Sequence, residues 1–203
     1  MLGACGSSNA SSSSASSTAT SSVSASSASE EDTTAASSSV SASSASEEVS
    51  ADADQEAADK VAALIDAIYV QERNDNTDEQ CKEAKEAWDA LTDAQKELVE
   101  GENADPDYFG RDTGDASKDD PLNGDEIGEN ELLVVSFGTS FNDSRAEDIG
   151  GVEKALQAAY PDWSVRRAFT AQIIINHVQA RDDEKIDNVD QALERAVSNG
   201  VKN

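Results

Sequence analysis

The sequence is poor in the residues that build large cores, disulfide frameworks and many catalytic centres. Aromatic residues make up 4% of the 203 residues, and the chain has one histidine and two cysteines, Cys5 and Cys81. Two cysteines are too few for a disulfide framework, and no apolar run approaches the roughly 20 residues that a membrane-spanning helix needs. Lys and Arg number 15 against 42 Asp and Glu, which gives a formal charge of −27. So acidic a surface excludes nucleic-acid binding through phosphate contacts.

The first quarter of the chain lacks the apolar residues that a core requires. Residues 6–52 are almost all Ser, Ala, Thr and acid, no Lys or Arg precedes Lys60, and SVSASSASEE occurs at 22–31 and again at 39–48. A segment with so little to bury cannot offset the entropy of ordering its backbone. We expect a disordered tether here, with the repeat a sign of low complexity rather than of a solenoid.

The tether follows a short motif, Leu2-Gly3-Ala4-Cys5. The motif resembles the signal-peptidase site of bacterial lipoproteins, which implies that Cys5 is lipidated and anchors the protein to the extracytoplasmic face of the cell membrane. A secretory signal also needs a basic region and an apolar region, and only Met1 precedes the motif. We therefore interpret residues 1–5 as the remnant of a longer signal; the alternative is a chance match at a cytoplasmic N-terminus.

Residues 53–100 have the periodicity of a small helical module. Apolar residues recur at helical spacing, and Thr92 to Gln95 form a capping box that predicts a last short helix. Cys81 has no ligand-type residues spaced for a metal site around it, so we expect a free, partly buried thiol. The two predicted inner faces consist of Val61, Leu64, Ile65 and Ile68, and of Ala84, Ala87, Trp88 and Leu91.

Residues 101–130 are acidic and rich in Gly and Asn, which suggests a calcium loop. With Gly124 at the invariant glycine of an EF-hand, position 3 is Pro121 and position 12 is Asn130; with Gly110 there, the last position is Ala116. Neither alignment supplies the bidentate acid that an EF-hand requires. We therefore predict a solvated acidic linker.

Residues 131–203 have the pattern of a βαβα unit. Leu132–Phe137 is the first predicted strand, because its apolar run Leu132–Val135 is typical of a parallel strand buried on both faces, and Trp163–Phe169 is the second predicted strand. Capping boxes are predicted at Ser144 and Asp187 and a helix cap at Thr170. The helix over 171–181 contains Ile173–Ile175, which periodicity alone cannot separate from strand. Gly200 is predicted to end the last helix, so that Val201 starts a third strand.

The first strand ends in Gly138-Thr139-Ser140-Phe141-Asn142, at the edge where open α/β sheets bind ligands. The turn is not a nucleophile elbow, because Asn142 stands where the second glycine belongs, and it lacks the Gly-Lys pair of a phosphate loop and the further glycines of a dinucleotide fingerprint. His177, on a predicted helix, is interpreted as a partly exposed surface residue rather than a ligand. Arg166 and Arg167 either form ion pairs with nearby acids or make a positive patch for an anionic ligand.

Three stretches, LLVVSFGTSFNDSR, VRRAFTAQIIINHV and IDNVDQALERAVSNGVK, resemble consecutive motifs of the anaerobic cobalt chelatase (sirohydrochlorin cobaltochelatase) family from Glu131 to Lys202. The resemblance implies a two-lobed α/β fold of parallel sheets, with a tetrapyrrole in the cleft between the lobes. It implies insertion of Co²⁺, as substrate, into sirohydrochlorin in cobalamin synthesis, without ATP or a cofactor. It also implies a set of substrate-binding residues: Ser136, Gly138, Thr139, Ser140 and Thr170, with Arg166 and Arg167 beside the substrate's carboxylates.

The histidines and acid that hold the metal in this family lie downstream of the matched region. We therefore expect this chain to be an inactive N-terminal fragment with no metal ligand and no catalytic residue of its own, and His177 matches no family ligand. We also expect poor stability of the 131–203 segment, because two parallel strands leave an open edge. The alternative function is a non-catalytic extracytoplasmic lipoprotein that binds a tetrapyrrole or metal. The expected partners are a tetrapyrrole, a divalent metal and the membrane, and a homo-oligomer is compatible with either function.

Overall fold

The computed structural model describes residues 41–203 of the chain, and their side chains from residue 50. The predicted lipidation site Cys5 and the predicted tether up to residue 40 lie outside the described residues. The described residues, 41–203, lie in one compact unit. Among the described residues, no helix is both long enough and apolar enough to cross a bilayer.

Four helices make up the helical module, which we define as residues 41–110: α1 (Ser41–Ile68), α2 (Thr77–Asp89), α3 (Asp93–Lys96) and α4 (Asp107–Gly110). Helix α1 begins at Ser41, within the stretch that the sequence assigned to the tether. The two predicted inner faces are confirmed, since each of the residues on them is buried or half-buried in one apolar core around Ile65 and Trp88. The capping box at Thr92 is also confirmed, with Thr92 Oγ1 accepting from the Gln95 N–H and the Gln95 side chain accepting from the Thr92 N–H.

The predicted solvated linker is wrong at several residues. Tyr108 and Phe109 of α4 are buried in the core of the helical module, and the Asp119 side chain is only 1% exposed. The turn that leads to α4 is fixed by Asp66, whose carboxylate accepts from the backbone N–H groups of residues 102, 103 and 104 at 2.7–3.1 Å. These contacts hold the pKa of Asp66 below its usual value although burial acts to raise it. Glycine at position 101 lets the carboxylate approach, since a Cβ there would lie 2.4 Å from Asp66 Oδ2.

The α/β segment, residues 131–203, contains the two described strands, β1 (Glu131–Ser136) and β2 (Ser164–Phe169). They pair in parallel with Glu131 opposite Ser164 and Ser136 opposite Phe169. A connecting helix follows β1 as α5 (Asn142–Ser144), a π-helical turn (Arg145–Ile149) and α6 (Gly150–Ala159). After β2 come α7 (Gln172–Asp182) and α8 (Val189–Ser198), so the ambiguous triple Ile173–Ile175 is helical. The mixed α/β fold class with a parallel sheet is confirmed.

Three predicted helix starts are wrong. Ser144 lies inside the connecting helix and makes no capping hydrogen bond. Ala171, rather than Thr170, is the residue before α7. Helix α8 is capped one residue later than predicted, by Asn188 with Gln191. The predicted ends are correct: α6 stops before Tyr160, and Gly200, with φ of +71°, ends α8.

The predicted burial of the α/β segment is only partly confirmed. Strand β1 is half-buried rather than buried on both faces, and its Val135 is 47% exposed. On the predicted inner faces of α6 and α8, Val152, Leu193 and Val197 are 55%, 51% and 80% exposed. The side chain of α6 that is buried is the charged Glu153, at 3%. Hydrophobic periodicity could not show the ion pair between Glu153 and Arg167, which ties α6 to β2.

The last residues of the chain lie along β1 on the edge opposite β2. The N–H groups of Lys202 and Asn203 donate to the Glu129 carbonyl, and the Glu131 N–H donates to the Asn203 carbonyl at 2.9 Å. On β2's side, the Ser164 N–H donates to the Asn130 carbonyl, and alternate residues of a strand direct their polar groups to opposite edges. These hydrogen bonds place the backbone after Gly200 beside β1, which agrees with the prediction that a third strand starts at Val201.

Candidate functional site: the carboxyl edge of the sheet

The hydroxyl-bearing residues predicted from the sequence meet where β1 and β2 end. Ser136 closes β1 opposite Phe169, and the Thr170 N–H donates to the Ser136 carbonyl at 2.9 Å. Thr139 and Ser140 follow in the turn, and the Thr139 hydroxyl accepts from the Phe141 N–H at 3.1 Å. Parallel pairing thus brings the two halves of the predicted site, which are about thirty residues apart in sequence, to one edge.

Gly138 allows the turn to cross closely over the end of β2. Its φ is +98°, and a Cβ at this position would lie 2.4 Å from the ring of Phe169. A positive φ strains any other residue, and the aromatic ring is completely buried, so it has little room to move. The glycine is therefore required by backbone and packing together.

Two arginines that the sequence analysis did not single out hold this turn in place. Arg145 donates to the Asn142 amide oxygen at 2.6 Å and to the Thr139 carbonyl at 3.4 Å. Arg181, from α7, donates to the Ser140 carbonyl at 2.7 Å and to the same amide oxygen at 3.1 Å. Arg145 opens the π-helical turn and is completely buried. Its position five residues after the Gly138-Thr139-Ser140 turn was the one available sequence signal.

Arg145 belongs to a buried network of ion pairs that reaches strand β2. Asp119 pairs with Arg145 at 2.8 Å and with Arg167 at 2.7 Å, and Arg167 also pairs with Glu153 at 2.7 Å. Arg145 pairs in addition with Glu184 at 2.9 Å. Burial alone would raise the pKa of Asp119, but its two arginine partners hold that pKa below its usual value. The network joins the segment before β1 to β2, to the helix that connects the two strands and to the residues after α7.

The adjacent arginines Arg166 and Arg167 point to opposite faces of β2. Arg167 is 1% exposed and its guanidinium lies between Asp119 and Glu153. Arg166 donates to the Gly124 carbonyl, and burial, with the nearby Arg195 charge, lowers its pKa. Of the two interpretations of this arginine pair, ion pairs with nearby acids or a positive patch for a ligand, the ion-pair interpretation applies to Arg167 in this structure. A role for either arginine in binding substrate carboxylates stays a prediction, and for Arg167 it requires giving up an existing ion pair.

His177 is half-buried, in agreement with the predicted partly exposed residue, and its ring packs against the helical module. Its ring stacks on Tyr108 with centroids 4.1 Å apart and 9° between the planes, and its Nε2 lies 2.6 Å from the Tyr108 carbonyl. Burial and the Arg181 charge lower its pKa to about 4. The described residues contain no group of three or more His, Cys, Asp or Glu side chains arranged to hold a metal ion. Cys81 is buried and unpaired, as predicted, and burial raises its pKa to about 11.

A polar cavity of about 680 Å³ opens at the carboxyl end of β2. One side is formed by Thr170 and the first turn of α8, and the other by residues 71–75, which connect α1 to α2. A chain of amide side chains links the two sides: Asn188 donates to Gln172, Gln172 to Asn176, and Asn176 to the Ile68 carbonyl at the end of α1, at 2.8–3.0 Å. The helical module is thus tied directly to the edge of the sheet.

Comparison with known proteins identifies similarity in the C-terminal third of the chain. Residues 130–203 match the family model described as Cobalt chelatase (CbiK). The chain is 42% identical over 71 residues to a sirohydrochlorin cobaltochelatase of Salmonella typhimurium, an alignment that covers 35% of this chain and 27% of that protein. The chain therefore spans little more than a quarter of the length of this relative. No solved structure matches.

Proposed function

We propose, from the match of residues 130–203 to the cobalt chelatase family model, that the protein inserts Co²⁺ into sirohydrochlorin. The observation that carries the proposal is this match over β1, β2 and the turn between β1 and α5, together with the 42% identity over 71 residues to a sirohydrochlorin cobaltochelatase. In the structure, that segment places Ser136, Gly138, Thr139 and Ser140 at the carboxyl edge of a parallel sheet, where α/β proteins bind ligands. The tetrapyrrole and the metal ion are both substrates in this reaction.

We propose that the hydroxyl-bearing turn and Thr170 bind the tetrapyrrole rather than the metal. Hydroxyls and backbone N–H groups can donate to the carboxylates of such a substrate, and the backbone of the turn is held rigid by Arg145 and Arg181. Gly138 allows the backbone of the turn to pass close to the Phe169 ring. Because it has no side chain, it leaves the edge open to a flat ligand. Insertion exchanges two pyrrole N–H protons for the metal, and we propose that it proceeds without ATP and without a resident cofactor.

The test of this function is a spectroscopic insertion assay on the full-length protein. Sirohydrochlorin is mixed with Co²⁺ and the protein, and the change in its absorption spectrum is followed. We expect insertion to be faster than in a protein-free control. The variant Ser140→Ala should weaken sirohydrochlorin binding by about two- to tenfold, as expected for one lost hydrogen bond, whereas Ser198→Ala, at the exposed end of α8, should not. A rate equal to the protein-free control would reject the enzymatic function.

We also propose that the protein is attached to the membrane through a lipidated Cys5, which the Leu2–Cys5 motif supports. A second candidate function follows from that location: a non-catalytic, extracytoplasmic lipoprotein that binds a tetrapyrrole or a metal, since cobalamin synthesis is expected in the cytoplasm. Fractionation of cells that express the protein and its Cys5→Ser variant tests the anchor, because only the variant should leave the membrane fraction. Binding of sirohydrochlorin without any metallated product would favour the second candidate.

A further inference from the structure

A second cavity, of about 220 Å³, lies beside the turn that follows β1. The turn contributes Ser140 and Phe141, and α7 contributes His177 and Arg181. The opposite side comes from the helical module, through Tyr69 directly after α1 and Tyr108 in α4. The remaining lining residues are Asp105, Asp107, Arg111 and Thr113. The helical module, which lies outside the region matched to known proteins, therefore borders the proposed substrate edge.

The walls of this cavity are fixed relative to each other. Tyr108 stacks on His177 of α7, and its carbonyl lies within hydrogen-bond distance of the imidazole. The buried side chain of Asn176, one residue before His177, donates to the Ile68 carbonyl, one residue before Tyr69. Asp78 of α2 accepts from Gln179 of α7 at 2.9 Å. Contacts on both sides of Tyr69 and Tyr108 thus set the position of the module against the turn.

Among the exposed residues of the cavity, which include Asp105, Asp107 and Arg111, two are aromatic, and these two indicate the chemistry of a ligand. Tyr69 is 40% and Phe141 is 45% exposed, although aromatic side chains are normally among the most buried. The charged side chains around them balance, since two arginines face two aspartates. Two buried hydroxyl oxygens of the described residues have no hydrogen-bond partner, Tyr108 Oη in α4 and Ser136 Oγ at the end of β1. Such groups are uncommon in folded proteins; Tyr108 is one of the residues that line this cavity.

We propose that Tyr69 of the helical module forms, with Phe141, an aromatic subsite for the flat conjugated ring of the substrate. The inference rests on the proposed function, because that function supplies a tetrapyrrole as the ligand. Aromatic side chains pack against a conjugated ring through offset or edge contacts, and the balanced charge neither attracts nor repels the carboxylates at the rim of the ring. The helical module then acts as a specificity-determining wall rather than as a spacer.

The test measures sirohydrochlorin binding to the full chain by quenching of protein fluorescence. Tyr69→Ala removes a partly exposed ring, so we expect the fold to tolerate it, as a thermal melt will verify. Tyr160→Ala is the matched control: Tyr160 is 48% exposed and directly follows α6, outside both cavities at the carboxyl edge. We expect Tyr69→Ala to raise the Kd about three- to tenfold, in the range of one aromatic pair, with Tyr160→Ala unchanged and Tyr69→Phe close to the parent protein.

Three results would overturn the inference, and they differ in what they say of the proposed function. If the parent chain binds sirohydrochlorin and Tyr69→Ala binds equally well, the cavity is only a gap in the packing between the module and α7 and does not bind the substrate. The proposed function then stands. If Tyr69→Ala and Tyr160→Ala weaken binding alike, the effect is not specific to this wall. If the parent chain does not bind the tetrapyrrole, the inference fails together with the proposed function.

Discussion

The helical module and the α/β segment have interiors of different chemistry. The core of the module is dominated by apolar side chains, from Val61 and Ile65 on α1 to Trp88 on α2 and Phe109 on α4. The apolar cluster of the α/β segment is small, with Phe169, Ile175, Val178 and Ile186 as its buried members. Beside that cluster, the segment buries two arginines with carboxylates from three different parts of the chain.

The contrast explains where the sequence analysis succeeded. An apolar helical core is visible as a period of three to four residues, whereas a buried ion pair has no period and its members look like surface residues. Removing one partner of a buried pair leaves an uncompensated charge, which costs more than the net gain from forming the pair. The α/β segment should therefore depend on single charged residues, and the module on the volume of its apolar side chains.

The largest effect is expected for Asp119→Ala. The change leaves Arg145 and Arg167 without a shared carboxylate, so we expect the free energy of unfolding to fall by about 3–5 kcal/mol. Urea denaturation followed by circular dichroism measures it. Asp148→Ala, an exposed aspartate in the π-helical turn, is the control and should stay within about 0.5 kcal/mol of the parent protein. Equal values for the two variants would refute the structural role of the ionic network.

In the helical module, we expect Ile65→Ala to lower the free energy of unfolding by an amount comparable to that of Asp119→Ala. Ile65 is completely buried, and truncation of such a side chain costs about 2–5 kcal/mol through lost apolar burial and the cavity left behind. The same denaturation experiment applies, with Leu98→Ala as the control because Leu98 is 38% exposed. Adding salt should change the Ile65→Ala effect little. A loss no larger than that of Leu98→Ala would show that the module is not organised around this core.

His177, where the two regions meet, should make stability depend on pH. Its pKa falls from the usual 6.5 to about 4 in the folded protein, so between these values the unfolded chain binds a proton that the folded chain does not. Stability is therefore fully present above pH 6.5 and decreases as the pH falls toward 4, by on the order of 3 kcal/mol from this residue.

The variant His177→Gln isolates this contribution. Glutamine can still donate to the Tyr108 carbonyl but does not titrate, so its melting temperature should fall less than that of the parent protein between pH 7 and pH 4.5. The carboxylates titrate in both proteins and cancel in the comparison. Parallel pH profiles would mean that the histidine is as easily protonated in the folded chain as in the unfolded one.

The smallest effect is expected at the capping box of α3. Thr92→Ala removes the acceptor of the Gln95 N–H, which lies at 3.3 Å, and should cost about 1 kcal/mol. Thr92→Ser keeps the hydroxyl and should restore most of the loss. Because Thr92 is exposed at a helix start, the effect should be confined to the module, and a loss as large as that of Ile65→Ala would contradict this view of the helix.

Part of the candidate site was predictable from local sequence. The apolar run of β1, the glycine after it and the hydroxyls at 139 and 140 marked the carboxyl edge, and parallel pairing then placed Thr170 beside Ser136 as expected. Arg145 and Arg181 were missed, because their partners are backbone carbonyls and an amide that only the folded turn presents to them. Tyr69 and Tyr108 were missed because nothing in their local pattern connects them to β1, which begins only at Glu131.

The sequence by itself determined the periodic features: the inner faces of α1 and α2, the cap at Thr92, the glycines at 138 and 200, and the alternation of strand and helix after residue 131. These depend on backbone preferences and burial within a few turns of chain. Only the tertiary structure decided which charges are buried, that Asp119 belongs to the interior rather than to a solvated linker, and that the helical module adjoins the turn after β1. Such contacts join residues distant in sequence, and their energies depend on desolvation, which no local pattern encodes.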